Sequence, residues 1–209
     1  MNELKELAKF GLYSPEQEHD SCGVGVVANI KGGKSHQIVS EGIQVLINLG
    51  HRGACGRDPE TGDGSGVMIQ MPDSFFQIEC ANFDTPLPPA DEYGVGMVFL
   101  PPQEDAQVKC QALIERVIVD EGLILLGWRD VPTDPRKLGR DARAVCPKIR
   151  QVFIGRGSGI EDPAEIERKL YVVRKIIEHS LADCGITEDE ADYFYICSMS
   201  CHTIDYKGL

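Results

Sequence analysis

The chain alternates between short apolar runs and longer amphipathic ones. The run GVGVVANI, Gly23 to Ile30, sets Val24, Val26 and Ala28 against Gly25, Val27 and Asn29, which predicts a strand. KGGK at Lys31 to Lys34 predicts a hairpin-type turn. From His36 to Leu49 the period changes. Ile38, Val45 and Leu49 share one broad face flanked by Val39, Ile43 and Leu46, which predicts a helix. The next segment, HRGACGRDPETGDGSG from His51 to Gly66, is too rich in glycine for a regular element and predicts an extended loop. Val67 to Met71 predicts a short strand, and Pro72 to Pro89 irregular chain.

Tyr93 to Leu100 (YGVGMVFL) predicts a buried strand, stopped by Pro101 and Pro102. A helix follows over Glu104 to Glu121, with Val108, Leu113, Ile114, Val117 and Ile118 inward and Gly122 at its end. Glu104 and Asp105 complement its N-terminal dipole. Leu123 to Arg129 and Ile149 to Gly155 predict strands. Asp162 as N-cap and Pro163 as first helical residue open the longest helix, which runs to about Cys184 and closes at Gly185. Tyr193 to Ser198 and Thr203 to Lys207 predict two strands paired with each other. This order argues for one mixed α/β or α+β domain with layered sheets.

Composition narrows the function. With 209 residues the chain can bury a sizeable core, and 42% hydrophobic with 26% charged residues is ordinary for a globular domain. A formal net charge of -12 makes nucleic acid and anionic membrane poor partners. No stretch approaches the roughly 20 apolar residues of a membrane helix, and the start, Met1 to Tyr13, has no apolar core of a secretory signal. Eight cysteines at wide, uneven spacing and without a CxxC pair fit free thiols in a reducing compartment better than a disulfide framework. Cys197, Cys201 and His202 weakly suggest zinc, but the pattern lacks a second ligand pair, and no metal is assigned.

The candidate chemistry begins at Cys22, which opens the first apolar run among the small residues Ser21, Gly23 and Gly25. A thiol there has room for a ligand, and a buried structural cysteine fits the same pattern. DPETGDGSG lacks the Lys-Ser/Thr ending of a phosphate loop. Asp58, Glu60 and Asp63 do not have the spacing of a calcium loop.

Taken together, CGVGVVANIKGGKSHQIV followed by NLGHRGACGRDPETGDGSGVMIQMPDSFF resembles the class II glutamine amidotransferases. The long HRGACG–DPETGDGSG string is similar to glutamate synthase large subunits in particular. LGWRDVP, RQVFIG and SMSCHTIDYKGL extend that likeness from about Glu18 to Leu209. The resemblance implies an α+β fold, the αββα four-layer sandwich of the N-terminal-nucleophile hydrolases, incomplete at the C-terminus. It implies a leader, residues 1–21, whose removal exposes Cys22, and a catalytic part, residues 22–209. The polar string PEQEHDS before Cys22 suits a removable leader and equally an ordinary N-terminal arm.

In that family the cysteine thiol attacks the side-chain amide of glutamine. Its own α-amino group, with an unperturbed pKa of about 7.7–8.0, serves as base. Arg52 of the HRG motif is expected to support the thiolate and the substrate pocket. A guanidinium stays charged at any working pH and lowers a neighbouring thiol's pKa. His51 is expected to be structural and Gly53 a turn residue.

The family's oxyanion donors come from an Asn-Gly pair. Here Asn2, Asn29, Asn48 and Asn82 are the asparagines, and none precedes glycine. The expected partners are glutamine, the remainder of the large subunit and an electron-donating small subunit. FMN and an iron–sulfur cluster are expected in that remainder and no cofactor in this chain. The expected location is the cytoplasm or an organelle stroma or matrix, not secreted. The competing reading is a non-catalytic fragment or paralogue that serves as an interaction or regulatory module.

Overall fold

The computed structural model describes residues 23–52, 64–83 and 86–208. The fold is mixed α+β, built around a four-stranded antiparallel sheet of β2 (Tyr93–Leu100), β3 (Ile124–Asp130), β4 (Lys148–Gly155) and β5 (Tyr195–Ser200), in the order β3-β4-β2-β5. A two-stranded antiparallel sheet joins β1 (Ser65–Gln70) to β6 (Thr203–Gly208), running from Ser65 opposite Gly208 to Gln70 opposite Thr203. The helices are α1 (His36–Asn48), α2 (Asp73–Glu79), α3 (Glu104–Asp120), α4 (Arg140–Ala144), α5 (Pro163–Ser180) and α6 (Glu188–Ala191).

Strand β2 shows why the sheet sits at the centre. Its side chains alternate between two cores, so both faces must be covered. Val98 and Leu100 join Val152, Ile154, Ile196 and the inward residues of α3 and α5. Tyr93, Val95 and Met97 face the other way, toward Phe153, Phe76 and Ile204 of β6. Helix α5 lies close against β2. A β-carbon placed on Gly94 would come within 2.3 Å of Leu170 Cδ1, so only glycine admits the helix there. On the opposite face, Phe76 and Phe83 meet Phe153 edge-on at 5.0 and 5.3 Å between ring centroids.

One polar chain crosses this second core. Gln151, fully buried, accepts from Arg129 Nη1 at 3.1 Å and donates through Nε2 to Tyr206 Oη at 3.2 Å. Arg129 is held in turn by Glu79. A buried amide is tolerable when both its ends are satisfied, and here the bond to Tyr206 also links the larger sheet to β6.

Several expectations are met. β2 has the predicted bounds, Asp162 caps α5 by accepting from Ala164 N, and Gly122 (φ 75°) and Gly185 (φ 82°) close their helical segments.

Others are corrected. Gly23 to Asn29 forms no regular element and pairs with no described strand, Ile30 opens a turn, and Val24 and Val26 are 86% and 85% exposed. Pro72 to Pro89 is not wholly irregular, because it holds α2. That helix is only seven residues long, too short to show two periods of spacing. Val108 is exposed, since the inward stripe of α3 runs through Ala106, Cys110, Leu113, Ile114, Val117 and Ile118 and leaves Val108 on the far side. The last two strands do not pair with each other. β5 joins β2 while β6 joins β1, so the short turn between them carries the chain from one sheet to the other.

Candidate active site

The segment that follows Cys22 rests on α1 and the turn after it. Ser35 caps α1, accepting from Ile38 N at 3.4 Å, and the helix ends in a single 3-10 turn, Leu49–Arg52. A β-carbon on Gly23 would lie 2.9 Å from Leu49 Cδ2. One on Gly25 would lie 2.2 Å from Val45 Cγ1. As the segment advances from 23 to 25, its neighbour on the helix side steps back about one turn, from 49 to 45. The segment therefore runs antiparallel to the helix, and its start lies at the end from which the chain turns toward Arg52. Any side chain at position 25 would collide with Val45, which explains a glycine there better than turn chemistry does.

Helix α1 is anchored lightly. None of its residues is fully buried, and it contacts β1, where Gly42 faces Val67 Cγ2. Lys34 Nζ donates to the carbonyl of Met71 at 3.1 Å, fastening the turn before α1 to the end of β1. The line of support for the segment 23–30 is thus β6, β1 and α1.

Of the residues singled out by sequence, Cys22 and Gly53 lie outside the described residues, as do the side chains of His51 and Arg52. The backbone brings the residue next to Cys22 against Leu49, in the same 3-10 turn as His51 and Arg52. Sequence spacing alone did not reveal the Gly23–Leu49 and Gly25–Val45 approaches. The signal for them was the pair of glycines two apart in an otherwise apolar run.

Four of the described cysteines have thiols pushed away from ionisation. Burial pushes Cys80 up to about 11 and Cys110 up to about 12. Cys197 is also raised by burial, and Cys201 is pushed up to about 12 by burial and then by Glu167. A thiol so raised holds almost no thiolate near neutrality and is a poor nucleophile. The six described cysteines are all free, and Cys110 lies within hydrogen-bonding reach of Cys184. No three of them converge as an iron–sulfur cluster requires among the described residues, and none is assigned to one. No helix among the described residues is long and apolar enough to cross a membrane.

Comparison with known proteins places this arrangement in a family. Residues 22–209 match the family described as glutamine amidotransferases class-II. The glutamate synthase [NADPH] large chain of Bacillus subtilis (strain 168) is 48% identical over 199 residues, covering 95% of this chain and 13% of that protein. The chloroplastic ferredoxin-dependent glutamate synthase of Oryza sativa subsp. japonica is 43% identical over 195 residues, covering 92% and 12%. Ferredoxin-dependent glutamate synthase 2 of Synechocystis sp. is 39% identical over 193 residues, again covering 92% and 12%. The chain spans about an eighth of the length of these relatives. With the family match running over nearly all of it, the chain belongs to the class II glutamine amidotransferases.

Proposed function

We propose that this chain is the glutamine-splitting module of a glutamate synthase, with Cys22 as its nucleophile. The observation that carries the reading is the family match, whose first matched residue is that cysteine. The seat of Gly23 beside the turn to Arg52 supports it, as do the raised pKa values of Cys80, Cys110, Cys197 and Cys201.

The mechanism follows from Cys22 as an N-terminal residue, after loss of residues 1–21. Its free amine takes the thiol proton, directly or through water, and Sγ bonds to the amide carbon of glutamine. The carbonyl oxygen becomes an oxyanion. When it collapses, the C–N bond breaks and the amine returns the proton to the departing ammonia. Water then attacks the thioester, releasing glutamate and restoring the thiol. A peptide nitrogen cannot hold that proton, so leader removal is a chemical requirement. Arg52 supplies fixed positive charge beside the thiolate, Gly53 lets the chain turn there, and His51 braces the motif. None of the chain's asparagines precedes glycine, so no Asn-Gly pair is assigned here as oxyanion donor.

We read the fold as the four-layer αββα sandwich of the N-terminal-nucleophile hydrolases, a reading supported by α3 and α5 packing on the four-stranded sheet and by α1 contacting β1 of the two-stranded one. The ammonia passes to the rest of the large subunit, where FMN and an iron–sulfur cluster serve reductive synthesis of glutamate from 2-oxoglutarate. Electrons come from a separate donor, a small subunit among the candidates. The cytoplasm or an organelle stroma is the setting, in keeping with bacterial relatives and a chloroplastic one.

Replacing Cys22 by alanine in the full-length enzyme tests this. Glutamine-dependent synthesis should fall by at least roughly 1,000-fold while ammonia-dependent synthesis persists. Glutamine use within tenfold of the parent, or an active enzyme that retains Met1, would overturn the assignment.

A further inference from the structure

The turn that carries the chain from one sheet to the other holds a second group of reactive side chains. Cys201 and His202 form its tip, and Glu167 reaches them from α5. The ligand atoms of Glu167, Cys201 and His202 all lie within 4.8 Å of one another. Cys201 Sγ donates to Glu167 Oε2 at 3.0 Å, and Cys201 N donates to the same oxygen at 2.9 Å. Asp91, in the left-handed region at φ 68°, places Oδ1 4.0 Å from His202 Nδ1.

We propose that Glu167, Cys201 and His202 form a zinc site that clips the β5–β6 turn to α5. The donor set is one sulfur, one nitrogen and one oxygen, the mixture that suits Zn2+ rather than Mg2+ or Ca2+. Zinc bonds of about 2.0 Å to oxygen and 2.3 Å to sulfur put those two donors about 3.5 Å apart in a tetrahedron. The pair at 3.0 Å needs only to open by about half an ångström to reach that spacing.

On binding, the thiol loses its proton to water and Sγ bonds the metal. Glu167 keeps its bond from Cys201 N, so its carboxylate is not orphaned by the exchange. One thiolate and one carboxylate balance the dication, leaving no net charge in a partly buried place. Asp91 lies near enough that a small side-chain shift would let its Oδ1 accept a hydrogen bond from Nδ1–H and orient the ring, the usual arrangement for a metal-bound histidine. His202 is half exposed, which leaves the fourth position to water.

The turn is already prepared. Ser200 Oγ accepts from His202 N at 3.0 Å and from Thr203 N at 3.3 Å, and the carbonyl of His202 accepts from Met71 N at 2.8 Å. Sequence spacing pointed to Cys197 as the companion of Cys201 and His202. Cys197 instead packs toward the core between the sheets, and the ligand that spacing missed is Glu167.

The test is titration of the metal-free, reduced 209-residue chain with Co2+ and then Zn2+. We expect one equivalent of Co2+ with a thiolate-to-cobalt charge-transfer absorption, lost when Zn2+ displaces it. Cys201→Ser should abolish the absorption. Asp91→Asn should weaken binding by roughly 10- to 100-fold, and His202→Ala by more. His202 is half exposed, so its variant should fold and keeps the test decisive if the Cys201 variant does not. An absorption of unchanged strength and affinity in His202→Ala would place the metal on other cysteines and overturn the proposal, as would the lack of any stoichiometric absorption in the parent chain.

Discussion

The two sides of this molecule are built to different standards. Around the four-stranded sheet, α3 and α5 bury a continuous stripe, and Leu170, Val173 and Ile177 are fully enclosed. On the side that bears the proposed nucleophile, α1 encloses no residue completely. Ile43, Ile47, Val24, Val26 and Met68 stand largely in solvent there. The enclosed core lies in the first region and the proposed chemistry in the second. A site held by two glycine contacts and one lysine tether is sensitive to small shifts of position without being a main source of folding energy.

That contrast can be broken most forcefully at Leu170. Leu170→Ala removes a buried side chain pressed on Gly94 and should cost about 2–5 kcal/mol in chemical denaturation. A loss under 1 kcal/mol would mean that the sheet and its helices are not the stable half.

Gly25→Ala probes the other half. Its new methyl meets Val45 and must push the segment off α1. A displacement of about 1 Å can cost on the order of 100-fold in rate. We expect that loss in glutamine hydrolysis by the full-length enzyme with little change in unfolding midpoint, and partial rescue when Val45→Ala is added. Equal damage to stability and activity would erase the distinction.

Acid sensitivity sharpens the comparison further. Burial pushes the Glu167 carboxyl up, but hydrogen bonds from Cys201 N, Cys201 Sγ and Ser200, together with His202, outweigh it and leave it below its usual 4.5. A depressed carboxyl stabilises the fold fully above its unfolded value, and the contribution vanishes as pH falls through the lower folded value. In the metal-free chain, Glu167→Gln should therefore flatten the stability curve below about pH 4.5. An unchanged acid limb would show that the interaction is absent. The smallest effect is expected for Ile47→Ala, which leaves the chain within about 0.5 kcal/mol of the parent because Ile47 is 66% exposed.

Sequence patterning was most informative where burial was complete. β2 reads as an unbroken apolar run because both its faces are covered, and its bounds were predicted correctly. The ends of α3 and α5 were legible because capping residues act locally, as Asp162 does on Ala164 N and Gly122 through its positive φ. Pairing was less legible. The alternation of Gly23 to Ile30 matched a strand, yet alternation encodes two faces and says nothing about whether a partner lies alongside. β5 and β6 look like a hairpin for the same reason, while three-dimensional packing sends them to different sheets. The candidate nucleophile was named from motif likeness. The contacts that would position it, Gly23 on Leu49 and Gly25 on Val45, are close approaches that the paired glycines signal but whose partners only coordinates identify.

The most direct measurement is labelling of the matured full-length enzyme with a diazoketone analogue of glutamine, read by peptide mapping with and without excess glutamine. One adduct per chain, on the peptide that begins at Cys22 and suppressed by glutamine, is the predicted result. An unmodified Cys22 in a protein that hydrolyses glutamine, or an adduct on any of the other seven cysteines, would contradict it.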